Sequence, residues 1–385
     1  MGVYYLMKIV EARPRSARAI AVPILVAAAL LAAGWGTVGH LFINTRAVDD
    51  LPASMGQFIS SRTYFGAHAS DADYRKSSDP TEAPKHFIDI ESYPDYEHLT
   101  PRLDSLVAIY GTTKVLDIGT LPWATAQTYD SLVGALRRAD FTRADSIAAD
   151  LGHYVGDGHQ PLHVTVNYDG QLTGNSGIHS RYETSMLNIY ASKLSVNVVP
   201  AVYVADRFSF IMSYLIASNA LVDSLLVADN DAKAVSARIG TGTYDSVYYR
   251  VLWNDTRSVT NRAMQDATES LADLWYSSWV DAGLITTAGV MFAGGPGARA
   301  FALGQNYPNP FNPSTTISYT LAQAGHVSLS VWSIGGNRIA TLVDGVQGAG
   351  PHVARFEPAG LGSGVYFYTL RQGGLVRTGK MLYVR

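Results

Sequence analysis

Apolar positions recur at helical spacing from Trp35 to about Ile285 and then, from Thr316 onward, alternate with polar ones. In the first stretch Ile147, Leu151 and Val155 fall four residues apart, which places them on one helix face. Thr142-Arg-Ala-Asp145 reads as a capping box that opens this helix, with Asp in the place of Glu. Gln160-Pro161-Leu162 breaks it. Tyr203–Ala228 and Ser258–Leu284 are longer amphipathic runs rich in Leu, Ile, Met and Trp. No sustained period-2 alternation interrupts them, so residues 35–285 are expected to form an all-α multi-helix domain. Beyond it, Thr316–Leu321, Val327–Ile334, Arg338–Val343, Gly350–Phe356, Gly364–Arg371 and Val376–Val384 alternate apolar with polar between Gly, Pro and Asn turns. That pattern predicts a small all-β, Ig-like sandwich over residues 303–385. Residues 286–302 join the two, and Ala293-Gly-Gly-Pro-Gly-Ala298 reads as a flexible linker. No Lys-Ser/Thr follows a glycine run there, so it is not a phosphate loop.

At the N-terminus Arg13, Arg15 and Arg18 precede an apolar run from Ala19 to Ala33 that ends in Ala32-Ala33-Gly34. This is the form of a secretory signal over residues 1–34, shorter than the roughly 20 apolar residues a membrane span needs. A start at Met7-Lys8 gives a more usual basic region. Cleavage after Gly34 makes Trp35 the mature N-terminus. No later segment reads as a membrane span.

Composition narrows the chemistry. With 47% hydrophobic residues among 385, the chain has ample material for a packed core. It contains no cysteine, which excludes disulfides, thiolate nucleophiles, zinc fingers and iron–sulfur clusters. A net charge of -3 argues against a basic nucleic-acid coat protein, not against an enzyme acting on nucleic acid. Any metal chemistry must use carboxylates and the 10 His.

Several of those His stand at ligand spacing. His153 and Asp157 are one helical turn apart, His163 follows as the helix ends, and His179 and Glu183 form a second i,i+4 pair. His40, Asp73 and His86 lie upstream. Imidazoles and carboxylates are costly on apolar helix faces unless paired or metal-bound. Without thiolate they make a hydrolytic rather than a structural zinc set. His68, His98 and His159 match no ligand position and are expected at the surface or behind the ligands. Asp71 is expected to support Asp73 or cap a turn, and His326 and His352 to face solvent. No Gly-x-Ser-x-Gly elbow supports serine-centred hydrolysis.

The string Gly152-His-Tyr-Val-Gly-Asp-Gly-His-Gln-Pro-Leu-His163 resembles the signature of the zinc-dependent phospholipase C and single-strand nuclease superfamily, which includes secreted fungal nucleases, plant bifunctional nucleases and bacterial zinc phospholipases C. Trp35-Gly-Thr-Val-Gly-His40, Ala69-Ser-Asp-Ala-Asp73, His86-Phe-Ile-Asp89 and Ile178-His-Ser-Arg-Tyr-Glu183 match its other landmarks in order, over residues 35 to 285. The resemblance implies three Zn2+: one held by Asp73, His86, His153 and Asp157; a second by the amine and carbonyl of Trp35, His40 and a bridging Asp157; a third by His163, His179 and Glu183. It implies in-line hydrolysis of a phosphodiester by metal-activated hydroxide, with Asp73, Asp157 and Lys76 in catalytic positions.

Within that superfamily Phe87 and Asp89 fall where nucleases stack a base and bind its edge, and Lys76 falls where they contact phosphate. The resemblance therefore points to a secreted endonuclease cutting single-stranded DNA and RNA to 5′-phosphate products. Glu183 reads closer to the phospholipase branch, since fungal-type nucleases tend to carry Asp there. A phospholipase C acting on phosphatidylcholine-type lipids is the alternative, and a non-catalytic secreted surface protein is a third.

Asn306-Tyr-Pro-Asn-Pro-Phe-Asn-Pro-Ser-Thr-Thr316, Gly364-Val-Tyr-Phe-Tyr368 and Gly379-Lys-Met-Leu-Tyr383 resemble the sorting domains of the type IX secretion system. That implies a partner in the secretion machinery, a secreted or cell-surface location, and a Gram-negative source of the Bacteroidetes type or a relative. A carbohydrate-binding sandwich is the rival for this domain.

Overall fold

The computed structural model describes residues 35–284 and 301–384, apart from 322, 323, 349, 359 and 374. The leader and most of the linker lie outside the described residues. Residues 35–284 are helical, and β-strands occur only beyond residue 300 among those described.

The helix that carries most of the predicted chemistry runs Phe141–Gly158. It is capped not by Thr142 but by Asp140, whose carboxylate accepts from the amide of Arg143 at 3.1 Å. Asp140 is the residue whose side chain can reach back to the third amide of the turn. Asp145 instead accepts from the Ser61 hydroxyl at 2.7 Å. Ile147, Leu151 and Val155 are buried as their spacing requires.

Two helix boundaries differ from the periodicity. The apolar run beginning at Tyr203 is divided into helices Arg207–Asn219 and Val222–Ile239. Asn219 turns its amide to Glu91 and to the carbonyl of Val164, and the chain bends there. By length and hydropathy (1.7) Arg207–Ile239 is apolar enough to cross a membrane, contrary to the sequence reading, but 56% of its most apolar window is buried in the protein. The last helix spans Ser246–Asp281, beginning twelve residues before the expected start because Asp245 caps the amides of Val247 and Tyr248. Its Trp275 and Trp279 meet Phe58 edge-on at 5.7 and 5.5 Å, at the centre of the helical core.

Close packing of the first described helix, Gly36–Arg46, on the Phe141–Gly158 helix depends on glycine. A Cβ at Gly152 would overlap the Asn44 amide, and one at Gly156 would lie 2.9 Å from His40 Nδ1. These two positions let His40 come alongside His153.

The C-terminal part has strands β1 (Ala302–Leu303), β2 (Thr315–Leu321), β3 (Gly325–Ser333), β4 (Arg338–Gln347), β5 (Gly350–Phe356), β6 (Gly364–Gln372) and β7 (Leu375–Tyr383). They form a three-stranded sheet, β1-β2-β5, and a four-stranded sheet, β4-β3-β6-β7, both antiparallel. Ile317, Phe356, Leu329, Val331, Tyr368 and Leu370 fill the space between them, as the alternation predicts for a sandwich. The two-residue β1 was not visible in the pattern, being too short to alternate.

Candidate metal centre

His153 and Asp157 project from one face of the Phe141–Gly158 helix, and His163 from the turn that follows Pro161. Asp73 comes from the short Asp71–Arg75 helix and His86 from the end of the turn Ala83–His86. His179 and Glu183 come from Ile178–Ser180 and the π-helix Arg181–Met186, not from the plain α-helix that their spacing suggested. His40, Asp73, His86, His153, Asp157, His163, His179 and Glu183 are all buried.

Three groups converge closely enough to hold a cation: His40, Asp73 and His153; His86, His153 and Asp157; His163, His179 and Glu183. In each, the ligand atoms lie within 4.8 Å of one another. The last is the group expected of the third zinc. The other five residues are shared more closely than the resemblance implied, with His40 grouped with Asp73 and His153. Asp157 sits at the centre. Its Oδ1 is 3.4 Å from His40 Nε2, and its Oδ2 is 2.9 Å from His86 Nδ1 and 3.3 Å from His153 Nε2.

The outward sides of the imidazoles explain their aim. His153 Nδ1 lies 2.8 Å from the Ala69 carbonyl, His163 Nδ1 2.6 Å from that of His86, and His179 Nδ1 2.9 Å from that of Tyr168. A carbonyl can only accept, so each Nδ1 carries the proton and each Nε2 turns a lone pair inward. Metal-binding histidines are oriented in this way. Both His40 nitrogens, Asp73 Oδ2 and Asp157 Oδ1 are buried without a hydrogen-bond partner. A buried polar atom of this kind costs about 1–3 kcal/mol unless something satisfies it. A cation would satisfy several at once, and the donor set, imidazole and carboxylate alone, suits zinc.

Without a cation, the carboxylates and imidazoles compensate one another's charge. Burial alone would push the Asp157 carboxyl up, but the charges of His153 and His163 outweigh it and hold the group well below the usual range. Burial would lower His153, yet Asp157 and Asp73 raise it well above the ordinary imidazole value. Burial, helped by the charge of His153, prevails at His40, which is lowered.

The other expected residues lie around this cluster. Lys76 Nζ is 2.6 Å from Asp73 Oδ1, at the cluster edge. Phe87 and Asp89 follow His86 directly, and the amide of Ile88 between them donates to the His163 carbonyl at 2.9 Å. Both are half-buried. Burial and the neighbouring charge of Glu91 push the Asp89 carboxyl up to about 7. Trp35 is wholly buried, with its ring 5.7 Å from Tyr182, beside Glu183.

Some minor expectations need correction. Asp71 pairs with half-exposed His68 at 2.7 Å and so neither supports Asp73 nor caps the turn through its side chain. His159 is not at the surface. It is buried, stacks on Tyr214 at 4.3 Å, approaches the Val155 carbonyl at 2.8 Å, and is lowered to about 4 by burial. His352 is half-buried against Tyr319 rather than solvent-facing.

Sequence reasoning also missed Glu82, a buried carboxylate 3.5 Å from His86 Nε2 that accepts from Tyr154 and pairs with Lys85 at 2.8 Å. Its position four residues before His86 was the available signal. Tyr168, whose carbonyl meets His179, is exposed, as are Val166 and Leu172 in the same loop.

Residues 305–384 match the secretion system C-terminal sorting domain family. This tail indicates export by type IX secretion to the cell surface or the extracellular space. A probable serine protease from Bradyrhizobium tropiciagri is 25% identical over 186 residues, covering 42% of this chain and 24% of that protein. The chain thus spans about a quarter of the length of that curated relative. Among solved structures, alpha toxin from Clostridium absonum aligns with a TM-score of 0.41 and 10% identity over 90% of this chain and 96% of its own. Alpha-toxin from an avian strain of Clostridium perfringens aligns with a TM-score of 0.41 and 12% identity over 91% and 93%.

Proposed function

We propose that this chain is an exported zinc-dependent phosphodiesterase. The observation that carries the reading is the convergence of five histidines and three carboxylates in a buried cluster, with three of the rings anchored through Nδ1 to backbone carbonyls and several polar atoms lacking a hydrogen-bond partner. Zinc held there would supply hydroxide near neutral pH and positive charge for a phosphoryl group. His40, Asp73, His86, His153, Asp157, His163, His179 and Glu183 would hold three ions, together with the amine and carbonyl of a processed Trp35. Asp73 and Asp157 bring the negative charge that keeps cations in a buried site. Lys76, paired with Asp73 at 2.6 Å, would meet a phosphate oxygen. No side chain need act as nucleophile, because water adds to phosphorus as the leaving oxygen departs.

For the substrate we favour single-stranded nucleic acid. Phe87, half-buried beside His86, would supply a ring for stacking, which tolerates every base. The Asp89 carboxyl, raised to about 7, can donate as well as accept at a base edge. Displacement of the 3′ oxygen would leave 5′-phosphate products. A phospholipid is the second reading, favoured by the exposed Val166, Tyr168 and Leu172 in the loop whose Tyr168 carbonyl meets His179, which suit contact with acyl chains.

The test is to assay the exported chain, processed at Trp35, on single-stranded DNA, RNA and phosphatidylcholine side by side, with and without chelator. Chelator-sensitive nucleic-acid cleavage is the expected result. Turnover of phosphatidylcholine with inert nucleic acid would select the second reading. Activity that resists chelator would overturn the metal reading, and a protein without zinc would point to a non-catalytic surface role.

A further inference from the structure

Behind the third metal group lies a buried ion network that the chemistry above does not use. Arg181, between His179 and Glu183 in sequence, donates from Nε to the Tyr248 hydroxyl at 2.9 Å and from one terminal nitrogen to the Ser176 carbonyl at 2.8 Å. Its other terminal nitrogen donates to the Asn175 carbonyl and to Asp229 Oδ1, both at 3.0 Å. Asp229 is wholly buried and also accepts from Tyr248 at 2.5 Å, from the Asn175 amide at 2.6 Å and from Lys233 at 2.7 Å. The network joins the loop before His179, the π-helix, and the helices Val222–Ile239 and Ser246–Asp281.

A buried ion network is weak evidence for stability, because apolar side chains of similar volume commonly serve as well. Here it stands where the backbone is irregular. The π-helix Arg181–Met186 is a rare backbone form, found mostly as single turns and frequently at functional sites. Every nitrogen of the Arg181 side chain is bonded to something other than its own helix. On the opposite side of the same segment, Glu183 Oε2 stands 3.0 Å from His179 Nε2 and 3.4 Å from His163 Nε2. His40, Asp73, His86, His153 and Asp157 are carried by elements to which neither Arg181 nor Asp229 bonds.

We propose that Asp229, acting through Arg181 and Tyr248, is the positioning residue for the His163–His179–Glu183 group, so that it governs one cation of three. The inference rests on the metal reading above. Partners behind ligands of this kind change metal affinity by about 10- to 100-fold.

The experiment measures zinc stoichiometry and affinity of the exported full chain by elemental analysis and chelator competition. It compares wild type, Asp229→Asn, Tyr248→Phe, His179→Ala and the Asp229→Asn/His179→Ala double variant. The expected result is three zinc ions in the wild type and one ion weakened at least tenfold in Asp229→Asn and Tyr248→Phe. The double variant should lose no more than His179→Ala alone. Three ions held at wild-type affinity in both network variants would overturn the proposal. So would uniform weakening of all three, or loss of a second ion in the double variant. Tyr248→Phe removes a single oxygen and decides the matter if Asp229→Asn does not fold. A wild type without zinc would overturn the metal reading itself, and is seen before any variant is compared.

Discussion

His163 and His179 face each other through their Nε2 atoms at 3.1 Å, while each holds its Nδ1 against a backbone carbonyl. With both protons committed outward, two lone pairs confront one another, and the Glu183 carboxylate stands beside them. Such an arrangement is repulsive unless a cation or an added proton lies between the rings.

Metal removal should therefore destabilise the protein as well as silence it. Ligands that bind only the folded state add to its stability, and stripping zinc restores the cost of the unsatisfied cluster. Chelation is expected to lower the melting temperature by at least about 5 °C, since about 1 kcal/mol corresponds to 2–4 °C in a domain of this size. Scanning fluorimetry with and without chelator, followed by zinc repletion, checks it. An unchanged melting temperature would count against a structural role for the ions.

Glu82 should tune the metal through His86. It lies 3.5 Å from His86 Nε2, is itself buried, and is held below the usual carboxylate range because the neighbouring His86, Lys85 and Tyr154 outweigh the effect of burial. Glu82→Gln keeps the shape but removes the charge that steadies the imidazole. Zinc affinity is expected to fall about 10- to 100-fold, with the helical circular-dichroism spectrum unchanged. Affinity within a factor of two of wild type would assign Glu82 a packing role only.

Much of the cluster was legible because its residues stand at short spacings: His153 and Asp157 four apart, His163 after a proline break, His179 and Glu183 four apart again. The partners behind them were not. Glu82 and Asp229 meet their partners only through folding, across 72 residues from Tyr154 in one case and 48 from Arg181 in the other. Nothing local marks such a pair. The π-helix was equally hidden, because its i,i+4 ligand spacing is the same as an α-helix would show. The sandwich strands could be read because one face of each is buried, which fixes a period of two. The break after Asn219 could not, since it depends on Glu91 and Val164 from elsewhere in the fold.

Asp89 offers a pH signature. Burial raises its carboxyl to about 7 from the ordinary value near 4, so the folded state takes up its proton more readily than the unfolded chain. Its charge therefore costs nothing well below pH 4, and the cost grows as pH rises through about 7. Asp89→Asn should raise stability above pH 7 by on the order of 1–2 kcal/mol once screening at this half-buried site is allowed for, and change it little at pH 4. Urea unfolding at the two pH values measures it. If Asp89 also binds a base edge, the same variant raises KM for nucleic acid and flattens its pH dependence near 7. An unaltered KM profile would remove Asp89 from the substrate site.

Trp35 gives the sharpest test of how the site matures. Its ring is wholly buried against Tyr182, and the next residue, Gly36, packs so closely on the Glu183 carbonyl that a Cβ there would lie 3.2 Å from it. Trp35 and Gly36 are thus held beside the segment that carries Glu183 of the third candidate group. If cleavage after Gly34 frees the α-amine as a ligand, a protein bearing one extra residue before Trp35 should fold normally yet lose one zinc ion and most of its activity, because an amide nitrogen has no lone pair to offer. Elemental analysis and the phosphodiesterase assay on the two forms, with the N-terminus verified by mass, make the comparison. Full zinc content in the extended form would show that the amine is not a ligand and that export leaves the site unchanged.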